Sequence, residues 1–160
     1  MSAVIVSLRV AASPDVAFDV FTGEIGTWWR PNDLFRITPR GDGTLSFQDS
    51  ERLVTTLPNG KVFEIGRVHI WLRGERLAFS WRQAGFIEGQ VTEVDIRFER
   101  VGDETRVTVE HRGWDTIPQD HVARHGFPLQ YTQMHLAGHW RAQLASFGPL
   151  ARAEGARKSQ

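Results

Sequence analysis

Val4, Val6, Leu8 and Val10 alternate with Ala3, Ile5, Ser7 and Arg9, the period of two that gives a strand one buried face. The period changes at Ser13-Pro14-Asp15: a capping hydroxyl, a proline suited to the first helical position, and an acid at the positive end of the helix dipole. Val16, Ala17, Val20 and Phe21 follow at helical spacing, so a short helix is predicted to end near Gly23. In Ile25-Gly26-Thr27-Trp28-Trp29-Arg30-Pro31 the glycine weakens a helix and the proline extends Arg30, which leaves one helical turn and a loop. Residues 34–112 then read as an antiparallel meander of about six strands, divided at Arg40-Gly41-Asp42-Gly43, Pro58-Asn59-Gly60, Arg73-Gly74-Glu75 and Val101-Gly102-Asp103-Glu104. Val94, Ile96 and Phe98 share one face, as do Val107, Val109 and His111. The alternation slips at Gly66, which predicts a bulge and therefore a curved sheet.

After a segment broken by Pro118 and Pro128, Leu129, Leu136, Trp140, Leu144 and Phe147 fall on one helical stripe, and Gly148-Pro149 is expected to stop the helix. A curved sheet and a long helix with one apolar face each bury those faces against one another. The predicted class is α+β: a helix-grip arrangement with two short helices after the first strand and a curved antiparallel sheet around a long C-terminal helix.

A chain of 160 residues, 41% apolar, fits a single domain, placed at residues 1–150. Residues 151–160, ARAEGARKSQ, hold no large apolar side chain and are expected to be a disordered tail. Nineteen basic and nineteen acidic side chains cancel, which removes the field that drives binding to nucleic acid. Without cysteine there is no disulfide, thiolate metal site or cysteine nucleophile. No run approaches the roughly 18 apolar residues of a membrane span, and the first residues lack a basic leader, so a soluble cytoplasmic protein is expected. Six Trp and ten Phe against one Tyr favour an apolar interior or pocket.

Several of these segments resemble one family. Trp28-Trp29-x-Pro31 after the first helix, Pro58-Asn59-Gly60 in a hairpin, Gly66-Arg67-Val68 with Glu75-Arg76-Leu77-Ala78-Phe79-Ser80-Trp81, and Thr105-Arg106-Val107-Thr108-Val109-Glu110-His111 are similar to the activator of heat-shock-protein-90 ATPase homologue family. Gly138-His139-Trp140 departs slightly from its usual Gly-Trp. The resemblance spans about Val4 to Phe147 and implies the helix-grip fold of the START-like (SRPBCC) superfamily, whose members enclose a cavity between sheet and helix. It implies no chemistry, because that superfamily hosts carriers, receptors, cyclases and chaperone activators.

The residues carry little catalytic signal. No G-x-S-x-G elbow and no phosphate-cradling glycine loop occurs. His121 and His125 are four apart, as are His135 and His139, but without a metalloprotease glutamate between them they are expected to be solvated helix histidines, and neither metal nor cofactor is expected. His111 sits on an inward strand face, either as a satisfied structural histidine or as a polar pocket residue. Gln133 and Gln143 fall within the apolar stripe of the last helix, where amides mark either a cavity with hydrogen-bonding groups or a stripe edge that reaches solvent. The cavity is expected to be lined by Phe47, Phe79, Trp81, Phe98, Val109 and His111 from the sheet, and by Trp28, Gln133, Leu136, Trp140 and Gln143 from the helices. Binding of a small hydrophobic or aromatic molecule there is the leading expectation. A cyclase or dehydratase in the same cavity would need His111, Asp95 or Glu110 as base, yet strand parity turns both carboxylates outward to solvent. A chaperone-interaction module, with a chaperone or a second copy of the chain as partner, is the third reading.

Overall fold

The computed structural model describes residues 3–159. The alternating segments become seven strands, β1 (Ala3–Val10), β2 (Thr44–Gln48), β3 (Arg52–Thr56), β4 (Val62–Leu72), β5 (Arg76–Trp81), β6 (Thr92–Val101) and β7 (Glu104–Arg112). They form one antiparallel sheet in the order β1-β7-β6-β5-β4-β3-β2. Two short helices, α1 (Pro14–Gly23) and α2 (Ile25–Trp28), follow β1, and α3 (Leu129–Lys158) lies against β1 and the two short helices. The helix-grip architecture expected from the sequence is therefore present. Among the described residues no helix is long and apolar enough to cross a membrane.

Local chemistry behaves as the sequence predicts at two places. Ser13 Oγ accepts from Val16 N at 3.2 Å, with Pro14 in the first turn of α1. The β3–β4 pairing shifts register opposite residues 64–66, and a second shift follows between Val68 and Ile70. Gly66 is required there, because a Cβ would meet the Ser80 carbonyl oxygen at 1.7 Å.

Two expectations are corrected. The strand pattern does not begin at residue 34: residues 29–43 form an irregular strap from α2 to β2, apart from the short turns within it. Nor does Gly148-Pro149 end the last helix, which runs through Pro149 to Lys158, so the expected disordered tail is helical (Gln160 lies outside the described residues). Proline removes one backbone hydrogen bond inside a helix, a cost of about 3 kcal/mol. Tertiary packing overrides it here: Ala151 is fully buried, and Gly155 lies so close to the β1–α1 connection that a Cβ would sit 2.6 Å from the Ala11 oxygen.

The core between sheet and helix contains two aromatic groups. Phe18, Phe21, Trp28, Phe98 and Phe147 make edge-on and tilted contacts where α1, α2, α3 and β6 meet. Trp29, stacked at an angle on Trp28, leads to the second group, in which Trp29, Trp81, Trp140 and His139 cluster beneath the strap.

Candidate functional site

β7 turns His111 inward, between Val94 of β6 and Val4 of β1, and leaves it 2% exposed. Its ring nitrogens are enclosed: Trp140 Nε1 lies 3.0 Å from Nδ1, while Thr92 Oγ1 and Trp114 Nε1 lie 2.8 and 3.2 Å from Nε2. The Thr92 hydroxyl donates to the Trp81 carbonyl at 3.2 Å, so its oxygen accepts from Nε2–H, and Nδ1 accepts from Trp140. A neutral imidazole has a single accepting nitrogen, hence the two indole N–H groups cannot both be accepted by the ring. A protonated ring would accept neither. Burial, followed by the nearby His139, pushes the His111 pKa down to about 3. Both nitrogens are thus sealed against a substrate, and the geometry offers no general base at this position.

His139, one residue before Trp140 on α3, is 4% exposed and not solvated as its sequence spacing implies. Its ring packs 5.3 Å from Trp29 and 5.2 Å from Phe35, and neither nitrogen has a partner among the described residues. Burial lowers its pKa to about 4. The other three helix-paired histidines are also placed differently from expectation. His121 caps the 3-10 turn Val122–Arg124 and reaches Gly85 O at 2.8 Å, while His125 takes the left-handed conformation after it and donates from Nε2 to Leu34 O at 2.8 Å. They therefore share no helical face. His135 is half-buried, stacked 5.0 Å from Phe127. Among the described residues no group of three metal-ligating side chains occurs.

The two amides have unlike fates. Gln133 is half-buried, whereas Gln143 is 1% exposed and clasps the strap, accepting from Arg30 N at 2.7 Å and donating to Arg30 O at 2.6 Å. The other residues expected at a cavity divide as well. Trp28 and Phe98 join the Phe147 group, Phe47 and Phe79 contact each other at 5.5 Å, and Val109 and Leu136 are buried. Only Trp81, His111 and Trp140 meet in the hydrogen-bonded cluster. Asp95 corrects the parity argument: it points out of the sheet but is 3% exposed, because the Arg76 guanidinium grips both carboxylate oxygens at 2.6 and 3.1 Å. Glu110 keeps about a third of its side-chain surface and faces Arg112.

None of the eleven expected residues lines the two surface hollows beside the strap. A groove of about 720 Å³ runs between the strap turn at residues 38–42, the β3–β4 hairpin tip at 57–59 and the loop at 82–86. Ile37 and Ile65 are buried at its base, and Phe63 is 50% exposed in its wall. A second hollow of about 520 Å³ shares Pro39, Gln83 and Ala84 with it and continues to Leu34, Val122 and His125. The strap is fixed above both by Ala84 N donating to Arg36 O and by the Thr38 hydroxyl donating to the Asp42 carbonyl. The groove touches the buried cluster at two points: Gln83 Oε1 accepts from Trp81 Nε1 at 2.9 Å, and Phe86 packs edge-on against Trp114 at 5.6 Å. In the sequence Arg40-Gly41-Asp42-Gly43 and Pro58-Asn59-Gly60 read only as turns. That two turns and the 82–86 loop converge is a property of the sheet's curvature and leaves no local signal.

Residues 11–137 match the family described as Activator of Hsp90 ATPase homolog 1-like protein. No curated protein matches the chain. Among solved structures, the self-sacrificing resistance protein CalC from Micromonospora echinospora is similar at 24% identity and a TM-score of 0.63, over 96% of each chain. The Aha1 dimer from Colwellia psychrerythraea gives 16% identity and a TM-score of 0.62, covering 95% of this chain and 97% of that one. PFC0360w, an HSP90 activator from Plasmodium falciparum, gives 17% identity and a TM-score of 0.56 over 86% and 89%. At these identities the likeness is one of fold.

Proposed function

Because the chain belongs to the Activator of Hsp90 ATPase homolog 1-like family, whose fold is that of the SRPBCC ligand-binding proteins, we propose that it binds a small apolar or aromatic molecule. The ligand sits at the open end of the sheet–helix space, against the Gln83–Trp81 and Phe86–Trp114 contacts. The observation that carries this reading is the groove of about 720 Å³ with a half-exposed Phe63 in its wall, a size typical of sites for small organic ligands. The deeper cavity expected between sheet and helix enters the proposal as a second layer: displacement of Phe35 and Trp29 would let a ligand reach the unpartnered His139 imidazole, which needs one donor and one acceptor. A cytoplasmic setting fits the cysteine-free sequence.

Binding should quench or shift tryptophan fluorescence saturably when fatty acids, flavonoids and polyketide-like aromatics are titrated in, since Trp81 and Trp114 border the groove's inner end. Phe63→Glu should weaken binding by about tenfold or more, the effect of losing an apolar wall and adding a charge, and should leave the fold intact because the ring is half in solvent. A screen without a saturable signal, or full affinity in Phe63→Glu, would remove the reading.

A chaperone-interaction reading draws on the family description and on the similarity to an HSP90 activator. Tyr131 and Met134, 48% and 57% exposed on α3, are the side chains such a module would present.

A further inference from the structure

Resting on the small-molecule reading above, we propose that the groove selects an apolar monocarboxylate, with the carboxylate held by Arg40, Arg82 and the Gln83 amide and the apolar body against Phe63, Ile65 and Phe86. The groove's polar side chains are unequally engaged. Of its two acids, Glu64 pairs with Arg67 at 3.3 Å and Arg52 at 3.9 Å, while Asp42 makes no ion pair among the described residues and has only a share of the Thr38 hydroxyl, which lies closer to the Asp42 carbonyl. The two arginines outnumber that one unpaired acid. Arg40 and Arg82 make no ion pair and no side-chain hydrogen bond among the described residues, although both line the groove. An unpaired guanidinium beside an apolar wall favours an anion, and its planar fork matches a carboxylate.

Gln83 gives a second observation of the same sign. It is 7% exposed and lines both hollows. An indole N–H can only donate, so the atom facing Trp81 must be Oε1, and this fixes the orientation of the amide. The Nε2 pair is left without a partner among the described residues, a positioned donor at the groove surface. Asn59 at the hairpin tip repeats the pattern: its Oδ1 accepts from Lys61 N at 3.0 Å and its amide nitrogen has no partner. Apart from the Asp42 carboxylate, these side-chain groups free to bind are donors. A ligand with accepting oxygens and negative charge satisfies them, whereas an ammonium meets one free carboxylate against two unpaired guanidinium groups.

Calorimetric titration with three molecules sharing one apolar body separates the possibilities: 2-naphthoate, neutral 2-naphthamide and cationic 2-naphthylmethylammonium. Naphthoate should bind about tenfold or more tighter than the amide, the ammonium should be weakest, and the naphthoate preference should shrink as salt is raised. In Arg40→Gln/Arg82→Gln naphthoate should fall to the affinity of the amide, whose own binding stays within about twofold. Both arginines are exposed, so the variant folds. Equal affinity of naphthoate and amide for the unmodified protein, or an undiminished naphthoate preference in the double variant, overturns the carboxylate assignment while small-molecule binding stands. Failure of all three to bind overturns both.

Discussion

Acidification from pH 6.5 to pH 4 should strip this protein of stability with the slope of two protons. An unfolded histidine titrates near pH 6.5. In the folded chain burial holds His111 at about 3 and His139 at about 4, so both stay neutral where the unfolded chain has taken up protons. The direction follows from that difference. Stability from a depressed histidine is complete above the unfolded pKa and is lost as pH falls toward the folded one. Each proton contributes at most about 1.4 kcal/mol per pH unit. The unfolded histidines are half-charged at pH 6.5 and folded His139 is half-charged at pH 4, so the pair costs about 5 kcal/mol across the window. Total stabilities are about 5–15 kcal/mol, so this removes a third or more of the stability. Urea unfolding at pH 7, 6 and 5 measures the slope. His139→Phe should halve it and raise stability at pH 5, because a ring of similar shape replaces an imidazole that has no hydrogen-bond partner. A flat profile would mean that the two imidazoles reach water.

Trp140→Ala should be the most damaging single substitution at the cluster. The ring is 1% exposed, packed against Trp29, and its Nε1 donates to His111 Nδ1 at 3.0 Å. Removing a buried tryptophan costs about 3–5 kcal/mol through lost burial and the cavity left behind. The stranded acceptor on His111 adds about 1–3 kcal/mol. For a chain of this size the melting temperature should drop by roughly 10–30 °C, at about 2–4 °C per kcal/mol. Trp140→Phe keeps an aromatic ring and loses the N–H, and should cost clearly less. His135→Ala, which removes only a half-buried ring stacked on Phe127, should cost about 1 kcal/mol. Comparable losses in the three variants would show that Trp140 does not anchor the interior.

The fold was legible because its signals are local. Ser13-Pro14, the alternation of β1, β6 and β7 and the slip at Gly66 each state their own geometry. The continuation of α3 past Pro149 was not, since it depends on Ala151 and Gly155 meeting a connection far away in sequence. The site divides on the same line. Strand parity placed His111 inward, but the helical stripe could not tell that Gln143 would be spent on the Arg30 backbone, nor that His139 would be covered by Phe35 from the strap. Asp95 shows the limit of parity itself: facing outward is not facing water when an arginine lies over the carboxylate. The groove had no pattern to betray it, because its donors come from two turns and a loop.

The small-molecule reading is tested most directly by an amide and indole NMR titration of the intact chain with 2-naphthoate. Saturable shifts are expected at Arg40, Phe63, Arg82 and Phe86, at the Gln83 side-chain amide and at the Trp81 indole N–H, with Tyr131 and Met134 unmoved. Shifts confined to the exposed face of α3, or no saturable shift at all, would contradict it.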